Sequence, residues 1–285
     1  NTGLALALVA AQKGYTLTIV VPDKMSQEKI FHLKALGAEV YLTRSDVGKG
    51  HPEYYQDVAE RISKETGAFF VNQFANEANP DAHEAMTAPE IWGQMDKDMD
   101  AIIVGVGSGG TISGMARFFQ AHAPHVEIIL ADPVGSILAD VVNTGTKPNE
   151  VGSWFVEGIG EDFIPDTCEL EHVSKAYSIS DKESFEMARL LVQKEGILGG
   201  SSSGTLLATA LKYCHAQTEK KRVVTFVCDR GDKYLSKMFN DFWMYDQGFL
   251  KRQSVGDLTD IITRRHLERA TVVCQPDDTL MQAHG

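Results

Sequence analysis

Gly107-Ser108-Gly109-Gly110-Thr111 follows the apolar run Ala101 to Val104 and opens a helix-like stretch. Glycines let successive backbone N–H groups converge without a Cβ in the way, and a helix start adds unsatisfied donors and the positive end of a dipole. That combination suits a phosphate group, although a tight strand-to-helix connection reads the same way in isolation. Two more small-residue clusters, Asn1-Thr2-Gly3 and Gly199-Gly200-Ser201-Ser202-Ser203-Gly204, fall at similar turns. If one sheet edge gathers all three, hydroxyl and amide groups ring a phosphate-bearing ligand. The alternative is three independent helix starts, since Ser and Asn are favoured N-caps.

Gathering such turns requires a particular architecture, and the residue pattern predicts it. Thr2 to Lys13 is Ala/Leu-rich and stops at Gly14, Thr16 to Val21 is a β-branched run closed by Pro22, and Ser26 to Leu36 reads as a helix before Gly37. Glu39 to Leu42 reads as a strand, Tyr54 to Thr66 as a helix and Ala68 to Val71 as another strand. Around the glycine turn, Ala101 to Val104 is a strand, Thr111 to Ala123 a helix and Glu127 to Leu130 a short buried strand. Asp181 to Glu195 is a helix capped by Ser180, Thr205 to His215 another, and Arg222 to Val227 a last buried strand. This alternation predicts an α/β fold with parallel sheets covered by helices and ligands at the carboxyl ends of the strands.

With 285 residues and 43% apolar content, the chain can bury a large core or support two modest domains. A formal net charge of −12 argues against nucleic acid or an anionic membrane surface as partner, and no apolar run approaches the roughly 20 residues that span a bilayer. Cys168, Cys214, Cys228 and Cys274 are widely spaced, without CxxC or a His at metal-ligand distance, so the reading is structural thiols in a reducing cytoplasm and no metal. Asn1 stands inside a helix-like apolar stretch with neither Met nor a signal-peptide pattern before it, as in a chain cut from something longer. From Gln247 the texture changes: Gly256 to Arg265, Thr271 to Cys274 and the turn-like Gln275 to Thr279 read as a new small α/β unit.

The order NTG at Asn1 to Gly3, NQF-x-N-x-ANP at Asn72 to Pro80, TAPEIW at Thr87 to Trp92 and GVGSGGTISG at Gly105 to Gly114 resembles the fold-type II pyridoxal-phosphate enzymes of the cysteine synthase and cystathionine β-synthase family. The similarity covers Asn1 to about Gly248. Asp132-Pro133 with Gly135 to Ala139, Val156 to Gly160 with Asp162 to Pro165, and Glu195 to Leu198 before the serine cluster look more like cystathionine β-synthase. The resemblance implies a two-domain catalytic fold: residues 1–76 as the remainder of a smaller α/β subdomain, 77–246 as a larger cofactor-binding subdomain, and 247–285 as a linker and the start of a CBS module, a small paired domain that often senses adenosyl nucleotides. A homodimer in the cytoplasm is the implied state.

Carried over residue by residue, Asn1 resembles the family asparagine on the cofactor's ring hydroxyl, and Gly107, Ser108, Gly109, Gly110 and Thr111 match the phosphate loop. Ser201 matches the serine beside the pyridine nitrogen. A serine cannot hold that nitrogen protonated as a carboxylate would, which weakens the ring as an electron sink and favours prompt expulsion of a β-leaving group. Thr2 and Gln73 match positions that hold the substrate carboxylate; a buried amide satisfying loop backbone is the other reading of Gln73. The family's Schiff-base lysine belongs to a motif upstream of the asparagine loop and is expected before Asn1. Glu161 departs from the tyrosine of many animal cystathionine synthases, and Cys228-Asp229-Arg230-Gly231 replaces the family's usual proline- and serine-bearing turn. Three readings follow: a synthase joining serine and homocysteine into cystathionine, a cysteine synthase using O-acetylserine and sulfide, or a ligand-sensing module without turnover.

Overall fold

The computed structural model describes residues 1–148 and 150–251. The small unit read beyond Gly256, Cys274 included, lies outside them. Two compact units divide the chain, Asn1–Leu235 and Ser236–Gly285.

The first unit opens with helix α1 (Thr2–Lys13), which ends where Gly14 takes the left-handed conformation at φ 70° and returns its N–H to Ala10 O. Strand β1 (Thr18–Pro22), helix α2 (Gln27–Ala35) and strand β2 (Glu39–Thr43) form a parallel pair in the register Thr18 to Glu39. Helix α3 (Tyr55–Thr66) follows. Residues 68–71 are not a strand: no strand among the described residues lies alongside to take their hydrogen bonds, and Phe69 is 83% exposed.

Helices α4 (Ala78–Ala82) and α5 (Ala88–Gln94) flank a π-helical turn at His83–Thr87. Then strand β3 (Ala101–Gly105), helix α6 (Gly110–His122), strand β4 (Glu127–Pro133), helix α7 (Leu138–Thr144) and strand β5 (Lys175–Ile179) build most of a four-stranded sheet. Helices α8 (Asp181–Glu195) and α9 (Ser201–His215) and the two-residue strand β6 (Val223–Val224) complete it. The strand order is β5-β4-β3-β6, parallel throughout. Ile102 and Ile103 in β3 are wholly buried, each such side chain worth roughly 1.5–3 kcal/mol. A buried parallel strand of this kind explains the unbroken apolar run.

Ser180 caps α8 by accepting the N–H of Glu183 at 3.3 Å. Helix α9 starts four residues earlier than its apolar pattern suggests, at Ser201 itself, and packs on α8 so closely that a Cβ on Gly204 would lie 1.9 Å from Ser184 O. β6 is shorter than the run Arg222 to Val227 because only Val223 and Val224 pair with β3. After a 3₁₀ turn at Gly231–Tyr234, the second unit is described by helix α10 (Asp241–Asp246), capped by the Asn240 side chain at Phe242 N, 2.9 Å. Among the described residues no helix is long and apolar enough to cross a membrane.

Candidate active site

The Gly107–Thr111 loop leaves the carboxyl end of β3 and becomes the first turn of α6. Gly109 is the N-cap residue at φ 89°, a left-handed conformation that L side chains resist. The loop is wedged from behind. A Cβ on Gly107 would lie 2.5 Å from Gly158 O, one on Gly109 2.5 Å from Cys168 Cβ, and one on Gly110 2.0 Å from Asn79 Oδ1. Its backbone donors are not used by the protein: among the described residues no acceptor takes the N–H groups of Ser108, Gly109, Gly110 or Thr111. Four uncommitted donors at the start of a 13-residue helix form an anion cradle. Burial pushes the neighbouring Cys168 thiol up to about 12, so it packs against the loop as an inert side chain.

Several side chains tie this cradle to the loop after α3. Asn79 Nδ2 donates to Ser108 Oγ and to Gln73 O, each at 2.9 Å. Thr167 Oγ1 reaches Ser108 O at 2.6 Å, and Thr167 N–H reaches Phe74 O at 3.1 Å. Gln73 is thereby placed at the cradle, and its Oε1 accepts the hydroxyl of Thr2 at 2.7 Å. Arg117 holds the same segment from outside, donating to Glu77 at 2.9 Å, Asp81 at 3.0 Å and Glu169 at 2.9 Å. Beneath the loop, His83 Nε2 meets Thr111 Oγ1 at 3.2 Å while Nδ1 meets Thr87 Oγ1 at 3.0 Å. Burial lowers the His83 pKa and keeps the ring neutral. If Nε2 carries its proton it donates to Thr111, which then keeps its own hydroxyl proton for another acceptor.

The third cluster meets the first two through the segment after Val156. Gly160 N–H donates to Val106 O at 2.8 Å, laying residues 158–160 against the end of β3. At its start, Glu157 N–H donates to Ser201 Oγ at 3.1 Å. That bond occupies one lone pair of the serine, whose hydroxyl also lies within hydrogen-bonding reach of Tyr234. Behind lies a buried ionic network: Lys29 Nζ donates to Glu157 Oε2 at 2.9 Å and to Tyr234 Oη at 2.8 Å, and Tyr234 donates to Asp229 Oδ2 at 2.7 Å. All four side chains are buried, and among the described residues Asp229 Oδ1 has no hydrogen-bond partner. Burial first, then Asp229 and Glu157, raises the Tyr234 hydroxyl far above its ordinary range, so it stays protonated. The backbone nitrogen of Asn1 lies near Lys29, Asp229 and Glu157, which puts it at the same end as Ser201.

The clusters are linked through Gln73 and Asn79 on one side and through the 157–160 segment on the other, and they are not ordinary caps. Neither Asn1 nor Ser201 makes a side-chain cap bond, and the N-cap residue of α9 is Gly200. Gln73 takes the Asn79 amide on its backbone carbonyl and the Thr2 hydroxyl on its side-chain Oε1. Sequence reasoning missed the network behind Ser201 and the His83 contact. Lys29 and Glu157 look like solvated charges in a linear sequence. The asparagine of the ANP motif was the one available signal, since a short amide between two turns suits loop bracing. Among the described residues no three His, Cys, Asp or Glu side chains are grouped to hold a metal ion.

Comparison with known proteins gives a consistent picture. The family described as pyridoxal-phosphate dependent enzyme matches residues 1–229. The chain is similar to a cystathionine beta-synthase of Apis mellifera, 42% identical over 252 residues, covering 88% of this chain and 49% of that protein. It is also similar to a cystathionine beta-synthase of Saccharomyces cerevisiae, 38% identical over 273 residues with 93% and 52% covered, and to cysteine synthase A of Escherichia coli, 38% identical over 242 residues with 83% and 73% covered. The chain spans about half the length of the cystathionine beta-synthases it matches.

Proposed function

Because the chain belongs to the family of pyridoxal-phosphate dependent enzymes, we propose that it carries the core of a β-replacement enzyme that condenses L-serine with L-homocysteine to cystathionine. Membership of an enzyme family sets aside the reading as a sensing module without turnover. Pyridoxal phosphate is the cofactor, and the residues fit it. The cradle offers four free N–H donors to a phosphate, and Ser201 offers a hydroxyl proton to a ring nitrogen that accepts. The single observation that carries the reaction class is that the side chain opening α9 is a neutral hydroxyl, held by Glu157 N–H, which does not keep a ring nitrogen protonated as a carboxylate would.

In this reading Gly107, Ser108, Gly109, Gly110 and Thr111 hold the phosphate, Ser201 the ring nitrogen and Asn1 the ring hydroxyl. Thr2 and Gln73 hold the carboxylate of the amino-acid substrate; their mutual bond keeps both oriented before it arrives. The lysine on which the family carries its cofactor belongs to a motif preceding Asn1. When bound, the cofactor supplies an electron sink for the substrate Cα. The buried network around Lys29 lies behind Ser201 and fixes the Glu157 N–H that holds it. Similarity to cystathionine beta-synthases supports homocysteine as acceptor.

The division at 76 and 246, a CBS module beginning after 247 with an adenosyl ligand, a homodimer and a cytoplasmic location complete the proposal. A cysteine synthase acting on O-acetylserine and sulfide is the second reading, favoured by the similarity to cysteine synthase A. The deciding experiment gives the full-length holoenzyme both substrate pairs in separate assays. Cystathionine formed faster than cysteine supports the first reading, and the reverse order supports the second.

A further inference from the structure

His83 opens the π-helical turn His83–Thr87, and that turn lies against α6 at backbone distance. A Cβ on Gly114 would fall 2.6 Å from His83 Cβ and 2.5 Å from Pro80 O. Residues three apart share a face of a helix, so a ring rooted against Gly114 reaches one turn along α6 to Thr111, where Nε2 meets Oγ1 at 3.2 Å. The other ring nitrogen, Nδ1, meets Thr87 Oγ1 at 3.0 Å. Among the described residues His83 is the only hydrogen-bond partner of either hydroxyl.

The three side chains form a relay with two proton arrangements. Burial alone lowers the His83 pKa, so the ring is neutral, one nitrogen donating and the other accepting. With the proton on Nε2, His83 donates to Thr111 and accepts from Thr87, and the Thr111 proton is unspent. With the proton on Nδ1, His83 donates to Thr87 and accepts from Thr111, whose hydroxyl then has only lone pairs to offer. An ionised phosphate accepts hydrogen bonds and donates none, so the first arrangement serves it and the second opposes it. Without the ring, the Thr111 hydroxyl is free to turn back to the carbonyl of Gly107, four residues earlier, as helical threonines do.

We propose that His83 is a positioning residue for the cofactor phosphate. Its Nε2–H form fixes the Thr111 hydroxyl as a donor, and phosphate in the cradle in turn holds the ring in that form. The inference rests on the reading above in which Thr111 belongs to the phosphate loop, and His83 acts on the cofactor only through Thr111.

The test measures the dissociation constant of pyridoxal phosphate for the full-length protein carrying His83→Leu, Thr111→Val or both, with His83→Gln as the conservative variant. Thr111→Val should weaken binding about tenfold and His83→Leu about fivefold. If one acts through the other, the double variant loses no more than about twofold beyond Thr111→Val alone. His83→Gln keeps a side-chain N–H donor and should stay within about twofold of the unmodified protein. Nitrogen spectra of isotope-labelled histidine in the unmodified holoenzyme, with the His83 signal identified by its loss in His83→Gln, should show the proton on Nε2; they decide the matter even if His83→Leu does not fold. Removing the cofactor should let the Nδ1–H form appear. Losses that multiply in the double variant, a His83→Gln protein as weak as His83→Leu, or a holoenzyme proton on Nδ1 would each overturn the assignment while a weakened Thr111→Val still supports the phosphate loop. An unchanged dissociation constant in Thr111→Val would instead remove Thr111 from the loop, and the assignment with it.

Discussion

Glu157 touches Ser201 with its main chain, N–H to Oγ at 3.1 Å, while its side chain accepts from Lys29 at 2.9 Å on the other side. One glutamate therefore links the candidate ring-nitrogen donor to a buried cation on α2. This arrangement fixes the position of the Ser201 hydroxyl.

Ser201→Asp places a carboxylate where the hydroxyl stands, beside Asp229, whose Oδ1 has no hydrogen-bond partner among the described residues. A carboxylate at the ring nitrogen holds it protonated and deepens the electron sink. We expect the visible absorbance of the substrate-bound holoenzyme to shift and β-replacement to fall at least about tenfold. Unchanged spectra and turnover would take Ser201 out of the site.

Gly109→Val tests the cradle, with a physical reason different from simple exclusion of phosphate. The missing Cβ points at Cys168, not into the cradle, and φ is 89°. The substitution should therefore cost both cofactor retention after dialysis and thermal stability, the backbone strain alone contributing about 1–3 kcal/mol. Thr111→Val changes no backbone and should lower retention with little effect on melting. A Gly109→Val protein with stoichiometric cofactor would show that the anion site lies elsewhere.

Lys29→Met strands Glu157 in a site where its side chain is 3% exposed. Removing one partner of a buried ion pair costs roughly 3–5 kcal/mol, so denaturant unfolding should shift by that order. Adding Glu157→Gln to Lys29→Met should recover part of it, since the uncompensated charge is then gone. Strict additivity of the two changes would mean that the pair is not coupled.

Asp132 supplies a pH signature. Burial pushes its carboxyl up to about 6 from 3.8, the Ala139 and Ser136 contacts opposing. The folded state thus holds this proton longer than the unfolded state does, and stability falls as pH rises from about 4 to about 6. Asp132→Asn keeps an acceptor for Ala139 N–H and cannot ionise. The variant should gain on the unmodified protein across that interval by roughly 3 kcal/mol, read from unfolding curves at fixed pH values. A constant difference from pH 4 to pH 7 would contradict the assignment.

Truncating the full-length protein after Gly248 tests the tail. β-Replacement should persist, and any response to S-adenosylmethionine, typically 5- to 150-fold in binding terms, should vanish. Loss of activity with fold and cofactor retained would mean that the tail helps build the active site.

The legible parts of the fold are those governed by local rules. Gly14 and Gly196 end their helices in the left-handed conformation, and Ser180 caps its own, as their spacing suggests. The β3 run followed by GSGGT places the cradle because a buried parallel strand and a glycine turn both leave marks in sequence. Strand β5 is not legible: Lys175 to Ile179 alternates weakly and is fixed by pairing with β4. The run at 68–71 has the composition of a strand but pairs with no strand among the described residues. Within the site, matched motifs identify Gln73 and Ser201, whereas the Lys29 network joins residues up to 205 positions apart through burial that no local pattern encodes.

Helix α9 is seated with almost no clearance at its start. A Cβ on Gly200 would fall 1.9 Å from Asp229 Oδ1, and one on Gly204 would fall 1.9 Å from Ser184 O. Between these two stops Ser201 can neither advance nor retreat along the helix axis. A lineage built on this scaffold can therefore change its chemistry by exchanging one side chain at position 201 in an unaltered seat, while mutations at 200 and 204 are purged before they reach function. A saturation scan across 200 to 204 would record that asymmetry as tolerance at 201 between two intolerant glycines, with folding yield as the readout.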